Sequence, residues 1–192
     1  MTSFSICVLL ECEEGKEVMN KNITSLENLL NKNIKELSKL KNYDYEKFLY
    51  SMIHLTSQLS YFYKKIAKNG PTENVFYSRN MQSMEHKLIY INLGRGFPKE
   101  LMDGHWCYVL KDYGCKLLVI PSTSIKNDSK FNSEYDMDIF SEDVEKEEVI
   151  KSRLCITDMR TIDIQRIDKR KKYKKVITKR KEIIAYVNDR IF

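Results

Sequence analysis

Long apolar runs are missing from this 192-residue chain. None approaches the ~20 residues that a bilayer-spanning helix needs, so no transmembrane segment is expected. The short apolar run at residues 3–10 (SFSICVLL) has no basic flank before it and acids after it, which argues against a secretion signal. Metal-type cysteine spacing is missing as well. The five cysteines, Cys7, Cys12, Cys107, Cys115 and Cys155, are odd in number, and three lie in or beside apolar runs. Reduced, buried thiols in a cytosolic protein are the expected state. What is present is 42% hydrophobic and 31% charged residues, the balance of a globular chain rather than a disordered one. The length allows one or two domains.

The formal net charge of +6 is unevenly placed. Residues 1–85 are nearly neutral, with 11 basic and 10 acidic side chains. Residues 126–148 hold three lysines against nine acids, a net of −6, whereas residues 166–182 hold ten basic side chains against two acids, a net of +8. A block of that sign and density points to a polyanion, most simply nucleic acid. It is equally consistent with a solvated segment that pairs with the acidic stretch.

Taken in order, residues 3–10 suggest a short strand or buried arm. A helix is expected from near Thr24, where Thr24 and Glu27 have capping-box spacing. Its apolar stripe is Leu26, Leu29, Leu30, Ile34, Leu37 and Leu40. Asp44 is placed to cap a second helix carrying Phe48, Leu49, Met52, Ile53, Leu55, Leu59, Phe62 and Ile66, which Gly70-Pro71 stops. The short connection predicts an antiparallel helical hairpin, with His54 as a surface or packed histidine. Residues 71–87 read as a connector ending near His86, without evident chemistry. Residues 126–148 read as a polar, loop-like acidic insertion with Phe131, Tyr135, Ile139 and Phe140 as docking points. Residues 149–156 suggest a strand, residues 158–171 a strand running into a turn, and residues 179–192 an amphipathic helix with Ile183, Ile184, Val187 and Ile191 on one face.

The chain is organised around residues 88–126, LIYINLGRGFPKELMDGHWCYVLKDYGCKLLVIPSTSIK. Strand-like runs at 88–93, 106–110 and 117–120 are separated by a loop and by a Tyr113-Gly114 hairpin turn. Polar groups collect at the ends of these runs: Glu100 and His105 before the second, Ser122, Thr123 and Ser124 after the third.

Residues 88–166 resemble the MazF/PemK family of toxin endoribonucleases in three ordered blocks. LIYINLG…FPKELMDGHWCYVL is similar to the family's first strand, loop and second strand, in which a glutamate precedes by five residues a basic residue opening the strand, here Glu100 and His105. LLVIPSTS is similar to the strand ending in a Thr-Ser pair, here Thr123-Ser124. DMRTIDIQRI resembles the family's Arg-Thr-Ile-x-x-x-Arg block, here Arg160, Thr161, Ile162 and Arg166. The resemblance covers residues 86–192 and leaves residues 1–85 as a helical extension. It implies an α+β chain: a small SH3-like β-barrel with a C-terminal helix, preceded by the helical hairpin. It also implies a homodimer restrained by a cognate antitoxin in the cytoplasm, cleaving single-stranded RNA without a metal or other cofactor. In that chemistry the ribose 2′-hydroxyl attacks phosphorus and leaves a 2′,3′-cyclic phosphate.

On this resemblance His105, Thr123 and Glu100 are the expected catalytic residues, and Ser124, Arg160 and Arg95 the expected substrate contacts. An imidazole takes or gives a proton near neutral pH. Hydroxyls donate to phosphate oxygens, a carboxylate orients the imidazole, and guanidinium groups grip phosphates. Trp106 and Tyr108 alternate with Cys107, so one face offers rings on which bases can stack. Many family members carry arginine where this chain has His105, and arginine stabilises charge without transferring protons at neutral pH. The alternative reading is a catalytically inactive barrel of the same kind that binds nucleic acid or protein. A third is a barrel that inhibits a topoisomerase.

Overall fold

The computed structural model describes residues 23–68, 70, 82–128, 130–143 and 145–191. The expected strand at residues 3–10 and most of the 71–87 connector lie outside them. The chain divides into two compact units, residues 1–47 and 48–192.

In the first unit, α1 is described over Ile23–Ser38, and Thr24 lies inside the helix rather than at its cap. Among the described residues it has no buried position: Leu29, Ile34 and Leu37 of its stripe are half-buried, while Leu26 and Leu30, and Leu40 beyond its end, are exposed. Helix α2 (Tyr45–Tyr61) starts where Asp44 predicts, with Asp44 Oδ1 accepting from the Lys47 amide at 2.9 Å. The division between units falls inside α2, so nearly all of that helix belongs with the second unit. A π-helical turn, Phe62–Ile66, extends it, closed by the Ala67 amide on the Phe62 carbonyl at 2.9 Å. Lys68 then takes a left-handed φ of 51°, the conformation expected slightly later at Gly70.

The second unit is built on an antiparallel barrel. Its strands are β1 (Lys87–Asn92), β2 (Gly104–Asp112), β3 (Lys116–Ser124), β4 (Asp136–Asp143), β5 (Glu148–Cys155), β6 (Arg160–Asp163) and β7 (Lys174–Val176). Six of them close in the order β1-β2-β3-β5-β4-β7, with β7 returning to β1. The seventh, β6, pairs with the first half of β3, whose last residues pair with β5 instead. The Tyr113-Gly114 turn forms as read: Gly114 has φ 84°, and its amide donates to Asp112 Oδ1 at 2.8 Å.

Two findings correct the sequence reading. Residues 126–148 are not a loop-like insertion, because β4 occupies Asp136–Asp143 and pairs along its whole length with β5. Met137, Ile139 and Ser141 point inward, alternating with Asp136, Asp138, Phe140 and Glu142, a period-2 pattern hidden by the density of charge. The basic block likewise contains a strand: β7 closes the barrel, burying Val176 next to Lys175. Lys172 pairs with Glu145 at 3.0 Å and Lys174 with Asp143 at 3.1 Å, so acidic and basic segments do neutralise one another in part.

The strands of the 88–120 region are buried on both faces, which is why they read as near-continuous apolar runs. Leu88, Tyr108, Ile120, Ile139 and Leu154 form one core, which Ile183 and Val187 of α3 (Arg180–Ile191) complete. Ile89, Ile91, Cys107, Val109, Leu117 and Val119 form the other, covered by Ile162 and Ile164. Among the described residues no helix is long and apolar enough to cross a membrane.

Gly104 opens β2 against the Tyr90 ring, and a Cβ there would overlap the phenol. Tyr90 cannot swing away freely, since its ring sits edge-on to Trp106 at 5.5 Å. Gly104→Ala is therefore expected to destabilise the barrel by about 1–3 kcal/mol, read by thermal melting. An unchanged melt would show that Tyr90 yields.

Near the other end of β2, His86 Nδ1 lies 3.0 Å from the hydroxyl of the fully buried Tyr108. Burial, and then the Arg180 guanidinium, lower the His86 pKa below its ordinary value. The unfolded chain thus binds this proton more readily than the folded one, so stability falls as pH drops below roughly 6.5. Melting curves between about pH 7.5 and pH 5 should show that fall before carboxylates titrate, and His86→Gln should flatten it.

Candidate functional site

Antiparallel pairing brings the start of β2 and the end of β3 to one end of the barrel. Trp106 pairs with Ser122, and the Ser122 hydroxyl donates to the Trp106 carbonyl at 2.8 Å. One residue further out on each strand, on the face that carries Cys107 and Pro121, come His105 and Thr123. Both are half-buried. His105 Nδ1 lies 3.2 Å from the Ser122 carbonyl. A carbonyl can only accept, so Nδ1 carries a hydrogen, and in the neutral ring Nε2 is the free base.

The row continues across the wall. Thr123 pairs with Arg153 on β5, and Arg153 pairs with Asp138 on β4. Residues carrying an imidazole, a hydroxyl, a guanidinium and a carboxylate thus stand on four adjacent strands, whose backbones run about 4.8 Å apart. Arg153 is buried and firmly held. Its Nε donates to Asp138 Oδ1 at 2.8 Å and its Nη1 to the Lys130 carbonyl at 2.7 Å, with Phe131 stacked 5.0 Å from the guanidinium. The hydrogen bond from Arg153, with Lys151 beside it, holds the Asp138 carboxyl below the usual range. Sequence reasoning missed both residues. The signal available was one arginine in an otherwise strand-like VIKSRLCI run, one residue from the inward Leu154.

The other expected site residues have structural partners. Glu100 closes its own turn, with Oε2 accepting from the Phe97 amide at 2.9 Å. Arg95 Nη1 lies 2.9 Å from Asp103 Oδ2 across the neck of the 93–103 loop, and the pair is largely shielded from solvent. Arg160 donates from Nη2 to the Leu101 carbonyl at 3.3 Å, while Asp158 Oδ1 accepts from the Leu101 amide at 2.9 Å. Arg160 and Asp158 therefore tie that loop to β6. Ser124 is exposed at the strand end, paired with Ser152. So His105 and Thr123 share one face and one end of the barrel, with Ser124 next along β3, whereas Glu100, Arg95 and Arg160 brace the loop that precedes β2.

Neither nearby thiol is a nucleophile. Burial raises the Cys155 pKa to about 11 and lifts Cys107 further still. Cys155 Sγ lies 4.0 Å from Thr123 Oγ1. In the basic block, Arg170 is held by Asp168 and Arg180 by Glu85, while Lys169, Lys171, Lys175, Lys179 and Lys181 have no ion pair among the described residues. No protein-family model matches this chain, and no curated protein matches it.

Proposed function

We propose that this protein is a toxin endoribonuclease of the MazF/PemK type, cutting single-stranded RNA as a homodimer held in check by an antitoxin. The observation that carries the reading is the placing of His105 on β2 and Thr123 on β3, both half-buried, on one face at one end of the barrel. With Nδ1 tied to the Ser122 carbonyl, Nε2 takes the proton of the ribose 2′-hydroxyl. The 2′-oxygen then bonds to phosphorus and the bond to the 5′-oxygen breaks. In-line departure carries that oxygen to the far side, where solvent supplies its proton. Thr123 donates to a non-bridging oxygen, where negative charge develops. The unpaired lysines of residues 169–181 hold the flanking phosphates.

A second reading is a non-catalytic nucleic-acid- or protein-binding module. It is favoured by the commitment of Glu100, Arg95 and Arg160 to the 93–103 loop, which leaves the row without its expected carboxylate. Purified protein incubated with a long single-stranded RNA in EDTA separates the two. Fragments ending in 2′,3′-cyclic phosphate at a short recurring sequence are expected for the nuclease. Intact RNA that remains bound to folded protein would sink the nuclease and leave the binding module.

A further inference from the structure

The segment after β6 runs back along β1. Ile167 bridges Ile91, and the Asp168 amide donates to the Tyr90 carbonyl at 2.9 Å. Against it lie the last turns of α2 and the π-helical turn, joined by Gln58, whose Nε2 donates to the Arg166 carbonyl at 3.3 Å. Both sides of this junction belong to the second unit. Two open grooves meet there. One, of about 460 Å³, runs between helix and segment, with Tyr61, Phe62, Ile66, Ile167, Lys169 and Arg170 in its lining. The other, of about 540 Å³, lies on the helix over Ser57, Ser60, Tyr61, Lys64 and Lys65. Ser57 and Tyr61 line both, so the two make one continuous surface.

Apolar side chains sit within this surface and cations stand around it. Phe62, Ile66 and Ile167 are half-buried, and Tyr61, shared by both grooves, is 57% exposed. Lys64, Lys65 and Lys169 are exposed and have no ion pair among the described residues. Asp168 is the one acid among the described lining residues, and Arg170 already occupies it, with Nε 2.8 Å from Oδ1 and Nη2 2.7 Å from Oδ2. The surface also spans the π-helical turn Phe62–Ile66, a backbone irregularity frequent at functional sites.

An apolar centre with a polar rim is the anatomy of a protein contact site, and an exposed tyrosine is a frequent anchor in one. The charge of the three lysines calls for carboxylates on the other side. RNA is anionic too, but the lining suits it less. The polar edge of a base set against Ile66 and Ile167 would lose water and gain no hydrogen bond, whereas a leucine or phenylalanine side chain is buried there without that cost.

We propose that this surface docks an acidic amphipathic segment of a partner protein. A large apolar side chain of that segment enters beside Tyr61, against Phe62, Ile66 and Ile167. Its carboxylates meet Lys64 and Lys65 in one groove and Lys169 in the other. Helix α2 lies outside residues 86–192, so the family resemblance supplies no expectation for this surface. The docking does not depend on whether the chain cuts RNA.

The test is selection on the full chain from a display library of random peptides of about 16 residues, long enough to cross both grooves as a helix of about 24 Å. Enriched peptides are then labelled with fluorescein and titrated by anisotropy. The expected winners carry net negative charge and at least one large apolar residue, and their binding weakens as salt is added. Tyr61→Ala, and separately the triple variant Lys64→Glu, Lys65→Glu and Lys169→Glu, should each weaken them by about ten-fold or more. All four positions are exposed, so both variants should melt with the parent, and Tyr61→Ala carries the test if the triple variant does not fold. No enrichment, winners that are neutral or basic, or winners that bind both variants as tightly as the parent overturn the docking surface. So do two other results. A single-stranded oligoribonucleotide that binds in place of any acidic peptide, and is weakened by Tyr61→Ala, gives the surface to nucleic acid. A dimer in sedimentation velocity that Tyr61→Ala breaks gives it to a second copy of the chain. Binding is read without cleavage, so failure here leaves the nuclease reading standing, and intact RNA leaves the docking surface standing.

Discussion

His105→Ala is expected to lower RNA cleavage by about 10²–10⁴-fold, the usual worth of a positioned general base. The melting temperature should barely move. His105 is only half-buried at a strand end, and among the described residues its ring makes one hydrogen bond, to the Ser122 carbonyl. Thr123→Val, which keeps shape and β-propensity but removes the donor, should cost about 10²–10³-fold in rate with little change in KM. Combining the two should cost less than the product of the single losses if both act on one phosphate. Rates measured under single-turnover conditions separate this from a binding defect. Equal cleavage by His105→Ala and parent would remove His105 from the chemistry and point to a contaminant or to other residues.

Ile183→Ala is expected to destabilise the barrel unit by about 2–5 kcal/mol. Ile183 is fully buried and completes the core formed by Leu88, Tyr108, Ile120, Ile139 and Leu154. Its neighbours in that cluster are held on paired strands, so they close only partly over the space left. For a unit of this size the loss corresponds to a fall of about 5–15 °C in melting temperature. Ile184→Ala, at the neighbouring half-buried position, should cost much less. Similar losses at both positions would mean that α3 lies on the barrel in another orientation.

Periodicity made most of the barrel unit readable in advance. The runs at 88–93, 106–110 and 117–120 became β1, shifted by one residue, and β2 and β3, each longer than its apolar run. Strand ends extend into polar residues because backbone pairing does not require apolar side chains at the rim. Gly114 marked its turn because a positive φ costs glycine little. The capping role of Asp44 was readable for a similar local reason. Strands β4 and β7 were obscured, since their outward positions are almost all charged and each contributes few inward residues. Composition over a window then outweighs alternation within it.

Of the candidate site, His105 and Thr123 were readable as polar groups at the ends of consecutive strands, and hairpin pairing brings such ends together. Arg153 and Asp138 were not, because their places in the row depend on β5 pairing with both β3 and β4. The partners of Glu100, Arg95 and Arg160 were equally out of reach. A long charged side chain has many rotamers, and the path of the 93–103 loop decides whether it faces substrate or backbone.

The sequence by itself determined the elements whose causes are local: the Asp44 cap, the turn at Gly114, the doubly buried strands around residues 88–120 and the amphipathic C-terminal helix. The tertiary structure alone decided closure of the barrel through β7, the row that joins His105 to Asp138, the commitment of three expected site residues to one loop, and the groove at Gln58. The division has a physical reason. Capping, turn chemistry and hydrophobic period act between residues a few positions apart, whereas barrel closure and hydrogen-bond partnership join residues up to about a hundred positions apart, as Gln58 and Arg166 do.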